Sequence, residues 1–478
     1  MTANKTGLLK STGLYSMGMI FLRASNFLLL PFYSQVFSTS DFGNYTLILS
    51  FYTILAVVVQ AGFQASLTKY YVEAESSDEK KKIFSTTVST LGIISVIFAF
   101  GLIFFAHQTS ILLVTTSDYS SIIISMAVLL VIETIAFYNL HLLRAREESK
   151  KYVLVVSISA IINLLFNFIF ISSFRLGILG IFLAQIVSSS ISLLLSYRFI
   201  KNDFSFQIDY RLLKKLFVFS LPLLAAGILS TFVDVADRFL INHYMSAKEV
   251  GSYSFAYRIA MMMNIVVISF GSAWNPRSLD DYKKKIFSTT LPVVFTKLFF
   301  LLTFVFLAVS LLIDNLFTFQ FYGKTFFGKE YYSGIFIIPF ILLSYLLRGL
   351  SSFYSVYPLT TGKSYHYLIG DLVGFITNIL LNVLLIPKYG LLGAAVATLV
   401  SYFLIAFYAF MVSYKALDFV YEKWQISFIL VTTTTFYLVS SYLNNLTLDI
   451  ILVVGYLLIG YRMFLRRKEG VNIFKVIK

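Results

Sequence analysis

The sequence contains no cysteine. That excludes a disulfide framework and any site that needs thiolate ligands. Charge is scarce as well: Asp, Glu, Lys and Arg make up only 13% of the 478 residues, about half the ~25% usual in soluble domains. The four histidines, His107, His141, His243 and His366, are scattered, and no HExxH zinc motif occurs. Gly362-Lys363-Ser364 resembles the tail of a phosphate-binding loop, but Tyr357 stands where that loop needs its leading glycine. No glycine-rich dinucleotide fingerprint follows a strand pattern. The chain is therefore not expected to hydrolyse ATP or to be an enzyme. No cofactor is expected beyond a coupling proton or sodium ion.

What is plentiful is hydrocarbon. Hydrophobic residues make up 58% of the chain, with 50 Phe and 32 Tyr, and the mean hydropathy is +0.82. One core cannot hide that much apolar surface, so lipid must be the solvent for much of it. Apolar stretches recur near 12–37, 45–67, 84–106, 121–143, 153–173, 177–199, 216–242, 252–274, 288–313, 335–357, 365–386, 391–413, 425–443 and 447–464. Each is long enough to cross ~30 Å of hydrocarbon as a helix. Helices satisfy their own backbone groups there, and the short alternating segments of a β-barrel do not appear. The first stretch is too long for a signal-peptide core and lacks a cleavage site, so a retained helix is expected. Connections are short, which leaves no room for a folded catalytic domain outside the membrane.

The net charge of +15 could suggest nucleic acid. The positions of the cations argue otherwise. With the N-terminus inside, 28 Lys and Arg fall in inner segments and 5 in outer loops, Arg175, Lys248, Lys324, Lys329 and Lys388. That asymmetry predicts both termini in the cytoplasm. No nucleic-acid partner is expected.

The chain also repeats itself. Residues 80–87 and 283–290 share the string KKKIFSTT. Ser38, Asp41, Gly43 and Tyr45 match Ser246, Glu249, Gly251 and Tyr253. Asn163 and Asn167 match Asn378 and Asn382, and Gly177-Ile178-Leu179-Gly180 matches Gly390-Leu391-Leu392-Gly393. The separations are 203, 208, 215 and 213. Four matches in one order at nearly one offset indicate duplication. Each half holds six spans, so both enter from the same side, as parallel repeats. The expected division is a first lobe at 1–205, a second at 206–418, and two added helices with a basic tail at 419–478.

Several of these strings carry a family resemblance. Arg23, Pro31 and the run Phe37-Ser38-Thr39-Ser40-Asp41-Phe42-Gly43-Asn44-Tyr45 resemble the opening of polysaccharide exporters. So do Phe219-Ser220-Leu221-Pro222, Asp237-Arg238, Glu249-Val250-Gly251-Ser252-Tyr253-Ser254 and Tyr389-Gly390-Leu391-Leu392-Gly393-Ala394-Ala395. The chain resembles the O-antigen and capsule (Wzx-type) flippases of the multidrug/oligosaccharidyl-lipid/polysaccharide (MOP) exporter superfamily. The resemblance implies an all-α bundle of about fourteen transmembrane helices in the bacterial cytoplasmic membrane. It implies flipping of undecaprenyl-pyrophosphate-linked sugar units to the outer leaflet by alternating access. The implied partners are the lipid-linked oligosaccharide, membrane lipids, and polysaccharide polymerase and chain-length machinery. A drug or metabolite exporter of the same superfamily is the first alternative; a membrane polysaccharide polymerase is a remote one.

Charges inside the spans need reasons, because each costs at least ~2.5–3.5 kcal/mol at mid-bilayer. Arg23 and Arg348, with Arg258 and Lys297, are expected to line a cavity and hold pyrophosphate, because guanidinium presents bidentate donors to phosphate. The alternative is pairing with acids inside a lobe. Glu133, Asp234 and Asp371 are candidates for coupling a proton or sodium ion, or for balancing the arginines. Asp237 and Arg238 read as a structural pair near the outer end of the seventh span. The paired asparagines read as interhelical hydrogen-bonders, and Pro31, Pro222 and Pro339 as sites of bends.

Overall fold

A computed structural model describes residues 27–465, except 115, 117, 284–286, 322, 355, 362, 364, 418–419 and 444. Arg23 and most of the first span lie outside the described residues. Among the described residues the chain is almost wholly helical. In order it runs α1 (Phe27–Val36), α2 (Thr39–Gln60), α3 (Phe63–Glu73), α4 (Ser77–Phe104), α5 (Ala106–Val114), α6 (Ser120–Ala145), α7 (Ser149–Phe168), α8 (Gly177–Ile200), α9 (Tyr210–Tyr244), α10 (Ala247–Ala260) and α11 (Met262–Lys283). Then come α12 (Phe287–Thr318), β1 (Gln320–Phe321), β2 (Lys324–Thr325), a 3₁₀ turn at Lys329–Ile337, α13 (Ile338–Tyr354), α14 (Val356–Thr361), α15 (Tyr365–Leu417), α16 (Lys423–Leu443) and α17 (Leu446–Leu465). β1 and β2 form a two-residue antiparallel ladder. Among the described residues, 11 helices are long and apolar enough to cross a membrane, or up to 12 with the bent pair α10–α11.

The repeated strings now have physical explanations. Ser246 caps α10 by accepting from the Glu249 amide at 3.4 Å, and Glu249 lies in the first turn. Ser38 directly precedes α2, whose first turn holds Asp41. Both are helix starts of the Ser-x-x-acid kind. The glycine strings make hairpins. Gly177 and Gly390 both have φ of +57°, which side chains resist. Gly390 therefore breaks α15 into the two expected spans, 365–386 and 391–413. Three residues on, a Cβ on Gly180 would lie 3.2 Å from Phe170 Cβ, and one on Gly393 only 2.4 Å from the Leu385 carbonyl oxygen. Gly393→Ala should therefore cost more than Gly180→Ala, about 1–3 kcal/mol, read as a lower melting temperature in detergent.

The first KKKIFSTT copy clamps the connector between α8 and α9. Ser85 Oγ accepts from the Ser205 amide at 3.0 Å, and Thr86 Oγ1 from the Asp209 amide at 3.2 Å. Lys82 pairs with Asp209, and that hydrogen bond is the first cause holding the Asp209 carboxyl down to about 2. Of the second copy, residues 284–286 lie outside the described residues, and Phe287 opens α12.

Contacts divide the chain into two compact units. One runs to Tyr33 and resumes over Ser40–Phe239; the other holds Ser34–Thr39 and everything from Leu240 onward. In the first, Phe63, Leu67, Phe84, Leu91, Tyr138 and Leu142 form the core. The α2–α3 break at Ala61–Gly62 leaves carbonyls unpaired, and Tyr138 OH donates to one of them, Gln60 O, at 2.7 Å. In the second unit the six-residue segment Ser34–Thr39 is tied down by the chain beyond α12. Ser34 Oγ accepts from the Gly328 amide at 3.0 Å, Gln35 Nε2 donates to Thr325 O at 2.6 Å, and buried Tyr331 OH donates to Phe37 O at 2.9 Å. A Cβ at Gly328 would stand 2.1 Å from Ser34 O. Gly328→Ala should therefore release this segment, seen as faster amide exchange over 34–38.

The added helices α16 and α17 dock on α12. Tyr456 OH meets Thr303 Oγ1 at 2.7 Å and Thr433 Oγ1 at 2.8 Å, while its ring stacks on Phe300 at 4.9 Å. Pro339 stands in the first turn of α13, where its missing amide costs nothing; it opens that helix rather than bending it. Pro222 lies inside α9.

Candidate functional site

The first unit concentrates its polarity on Glu133, midway along α6. Its Oε1 accepts from Gln185 Nε2 at 2.7 Å and Ser189 Oγ at 3.2 Å, both on α8. Its Oε2 accepts from Tyr52 OH of α2. The network continues outward. Asn163 Nδ2 donates to Gln185 Oε1 at 2.8 Å, Asn167 Nδ2 to Asn163 O at 2.8 Å, and Tyr33 OH to Asn167 Oδ1 at 2.7 Å. Five helices, α1, α2, α6, α7 and α8, thus meet through one carboxylate and one amide chain. A carboxylate can accept about four hydrogen bonds; three donors occupy this one, and none of them is a cation.

In the second unit the counterpart seat carries the opposite charge. Arg348 on α13 lies 215 residues after Glu133, the same separation as Asn163 to Asn378. Arg348 Nη1 donates to Tyr402 OH on α15, and its guanidinium carbon stands 5.2 Å from that ring's centre. Tyr402 in turn lies 213 residues after Ser189, the separation of the glycine hairpins. Glu133 with Ser189 and Arg348 with Tyr402 are therefore duplicated positions that have diverged in charge. Tyr345, beside Arg348 in sequence, packs its ring on Tyr402 at 6.2 Å and donates to Tyr257 OH at 3.4 Å.

The asparagine pair diverged too. Asn378 and Asn382 are fully buried, and Asn382 Nδ2 donates to Asn378 Oδ1 at 2.9 Å. Asn378 Nδ2 and Asn382 Oδ1 have no partner among the described residues. The positions equivalent to Tyr33 and Gln185, at separations of 208 and 213, are Ile241 and Thr398. Neither supplies the missing contact: Thr398 bonds its own helix at Ala394 O.

The other expected residues are dispersed. Asp237 and Arg238 form a buried ion pair at 3.1 Å, with side chains 0% and 8% exposed. Arg238 also donates to the Asp234 carbonyl one turn back, so its charge is spent locally. Arg258 is half-buried in the last turn of α10. The Lys297 ammonium lies 5.9 Å from the Phe464 ring on α17. Asp371 lines a small cavity between α13 and α15. The residues not expected from sequence are Tyr33, Tyr52, Gln185, Ser189 and Tyr402. The repeat offset was the one signal that could have found Tyr402, through Ser189.

Among the described residues the chain is a bundle of long apolar helices that carries Glu133 and Arg348 within its spans. A family model for polysaccharide biosynthesis proteins matches residues 8–280, more than half of the chain, and the chain belongs to that family. It is 24% identical over 390 residues to a proposed O-antigen transporter from Shigella flexneri, covering 77% of this chain and 88% of that one. Among solved structures it is similar to the lipid II flippase MurJ in an inward closed conformation, with a TM-score of 0.73 at 17% identity, covering 95% of this chain and 99% of MurJ. It is also similar to the MATE transporter VcmN of Vibrio cholerae, with a TM-score of 0.63 at 16% identity over 86% of this chain and 97% of that one. The chain is thus a multi-pass membrane protein with the MOP fold, and it is a transporter, not an enzyme.

Proposed function

We propose that this protein flips undecaprenyl-pyrophosphate-linked oligosaccharide from the cytoplasmic to the outer leaflet for O-antigen, capsule or exopolysaccharide synthesis. It does so in the bacterial cytoplasmic membrane with both termini inside. The observation that carries the reading is Arg348, a half-buried guanidinium held by Tyr402 in a member of the polysaccharide biosynthesis family. A cation within a membrane span is rare and marks a functional position, and a guanidinium presents the paired donors that pyrophosphate accepts. The Shigella relative is named as a proposed O-antigen transporter and MurJ as a lipid II flippase, which supports this reading.

In this reading Arg348 and Arg23, with Arg258 and Lys297, form the cationic lining of a central cavity. The two six-helix lobes, 1–205 and 206–418, rock to expose it alternately to each side, while the lipid tail stays in the bilayer. Energy comes from an ion gradient or from consumption of product by polymerase and chain-length machinery. Glu133 is the favoured coupling site for a proton or sodium ion, ahead of Asp234 and Asp371, because three uncharged donors already converge on it.

The same carboxylate favours a second reading, a cation exporter of the MOP type with the first lobe as its binding side. Proteoliposomes separate the two. A labelled undecaprenyl-pyrophosphate oligosaccharide should become accessible on the far side only when the protein is present. Efflux of organic cations without any lipid flipping would select the exporter.

A further inference from the structure

The repeat pattern puts the boundary between the lobes inside the connector from α8 to α9. A linker that flexes would be solvated and rich in Gly and Ser. Residues 201–209 instead read KNDFSFQID, with no Gly and no Pro, and α4 and α6 hold them. From α4, Ser85 Oγ accepts from the Ser205 amide at 3.0 Å and donates to Asp203 O at 3.4 Å. Thr86 Oγ1 accepts from the Asp209 amide at 3.2 Å. Both of these α4 side chains are fully buried. At the end of α6, Arg146 pairs with the Asp203 carboxylate, and its Nε donates to Tyr71 OH of α3 at 3.2 Å. The Asp209 carboxylate pairs with Lys82 and caps α9 by accepting from the Leu212 amide at 2.9 Å. Phe204 packs against the first unit's core.

The hold continues along α9. Leu216 is a fully buried member of the same core. Ser220 Oγ donates to Ser66 Oγ of α3 at 2.8 Å, and both side chains are fully buried. Gly62 lies so close that a Cβ there would stand 3.0 Å from Ser220 O and from Leu224 N. Contacts accordingly place α9 in the first unit as far as Phe239, and the chain belongs to the second unit only from Leu240. Opening the connector would take two backbone amides from their buried acceptors and bring Leu216 out of its core. Both changes are unfavourable, so the connector is a poor place for lobe motion.

We propose that the connector and the turns of α9 that follow it are a strap. They stay fixed to the first unit throughout transport, and lobe motion is taken up farther along α9, before the chain enters the second unit. The strap's part in the cycle rests on the flippase reading. A slack connector would let α9 slide on α3, and movement of one lobe would no longer be passed to the other.

The chain has no native cysteine, which makes the test direct. Side-chain tips at 2.8 Å lie within reach of a disulfide. Ser66→Cys with Ser220→Cys, joined by oxidation in proteoliposomes, should flip the labelled lipid-linked oligosaccharide within about twofold of its reduced rate. Slowing beyond that on joining overturns the strap. Amide exchange on wild type in nanodiscs is the second readout. Residues 203–209 should exchange at least about a hundredfold slower than in a free peptide, and less protection overturns the strap as well. Ser85→Ala with Thr86→Val keeps the shape and removes both acceptors. Protection over 203–209 should then fall at least about tenfold and flipping about fivefold, with the thermal transition retained. Lost protection at full flipping rate overturns the strap's part in transport. Should either variant pair lose its thermal transition, exchange on wild type decides. Wild type that flips no lipid overturns the flippase reading instead, and exchange still decides whether the connector is fixed.

Discussion

Arg348→Ala is expected to slow flipping of a lipid-linked oligosaccharide by about a hundredfold or more. The wild-type guanidinium is half-buried and tethered to Tyr402 OH. Each hydrogen bond from a charged donor is worth about 1.5–3 kcal/mol, and a pyrophosphate can take two from one guanidinium. Losing both removes about 3–6 kcal/mol, and every 1.4 kcal/mol is tenfold. Arg348→Lys keeps the charge but not the planar fork, so an intermediate loss of about tenfold is expected. Tyr402→Phe keeps the ring beneath the cation and removes only the tether, so a loss of a few-fold is expected. The order Ala, then Lys, then Phe is what separates ligand binding from helix packing. If all three variants flip normally at normal abundance, Arg348 is a packing residue and the cationic-cavity reading falls with it.

Much of this architecture was legible in the sequence because lipid leaves a helix few choices. Helix underlies most of spans two to fourteen, interrupted at Ala61–Gly62 in span two and bent by 41° between α10 and α11 in span eight, and the break between spans eleven and twelve falls at Gly390, whose φ is +57°. The first span lies largely outside the described residues, and 11 helices, or up to 12, pass as membrane spans among the described ones, so the count of fourteen is an expectation from sequence. The repeat was legible for the same reason: helix caps and hairpin glycines perform local tasks that only Ser, Asp, Glu and Gly perform well. Breaks that depend on tertiary partners were not legible. The α2–α3 break is stabilised by Tyr138, 78 residues beyond the Gln60 carbonyl it meets, and the tie on Ser34–Thr39 comes from nearly 300 residues downstream. The site was half legible. Glu133 and Arg348 stood out as charges in apolar runs. Their partners Tyr52, Gln185, Ser189 and Tyr402 did not, because Ser, Tyr and Gln are ordinary in such spans until a fold brings them to a charge.

Glu133→Ala is the second large effect, and it falls first on stability. Three donors, from Tyr52, Gln185 and Ser189, would lose their acceptor together. Hydrogen bonds between helices in membranes are worth about 0.6 kcal/mol each and up to ~1.7, so the loss sums to about 2–5 kcal/mol. It should appear as a lower melting temperature in detergent, and Asn163 and Asn167 should lose protection with it, since their chain ends on Gln185. Glu133→Gln separates architecture from transport. The amide keeps one carbonyl oxygen for the donors but turns its –NH2 towards one of them, so a smaller loss of about 1 kcal/mol is expected. It can no longer take up a proton or hold a sodium ion as a carboxylate does. If Glu133 couples the ion, the glutamine variant should fold and yet flip at a rate that no longer responds to a proton or sodium gradient imposed on proteoliposomes. If the response to both gradients persists at full size, Glu133 is the keystone of the first unit's hydrogen bonds and nothing more, and the coupling ion must bind at Asp234, at Asp371 or not at all.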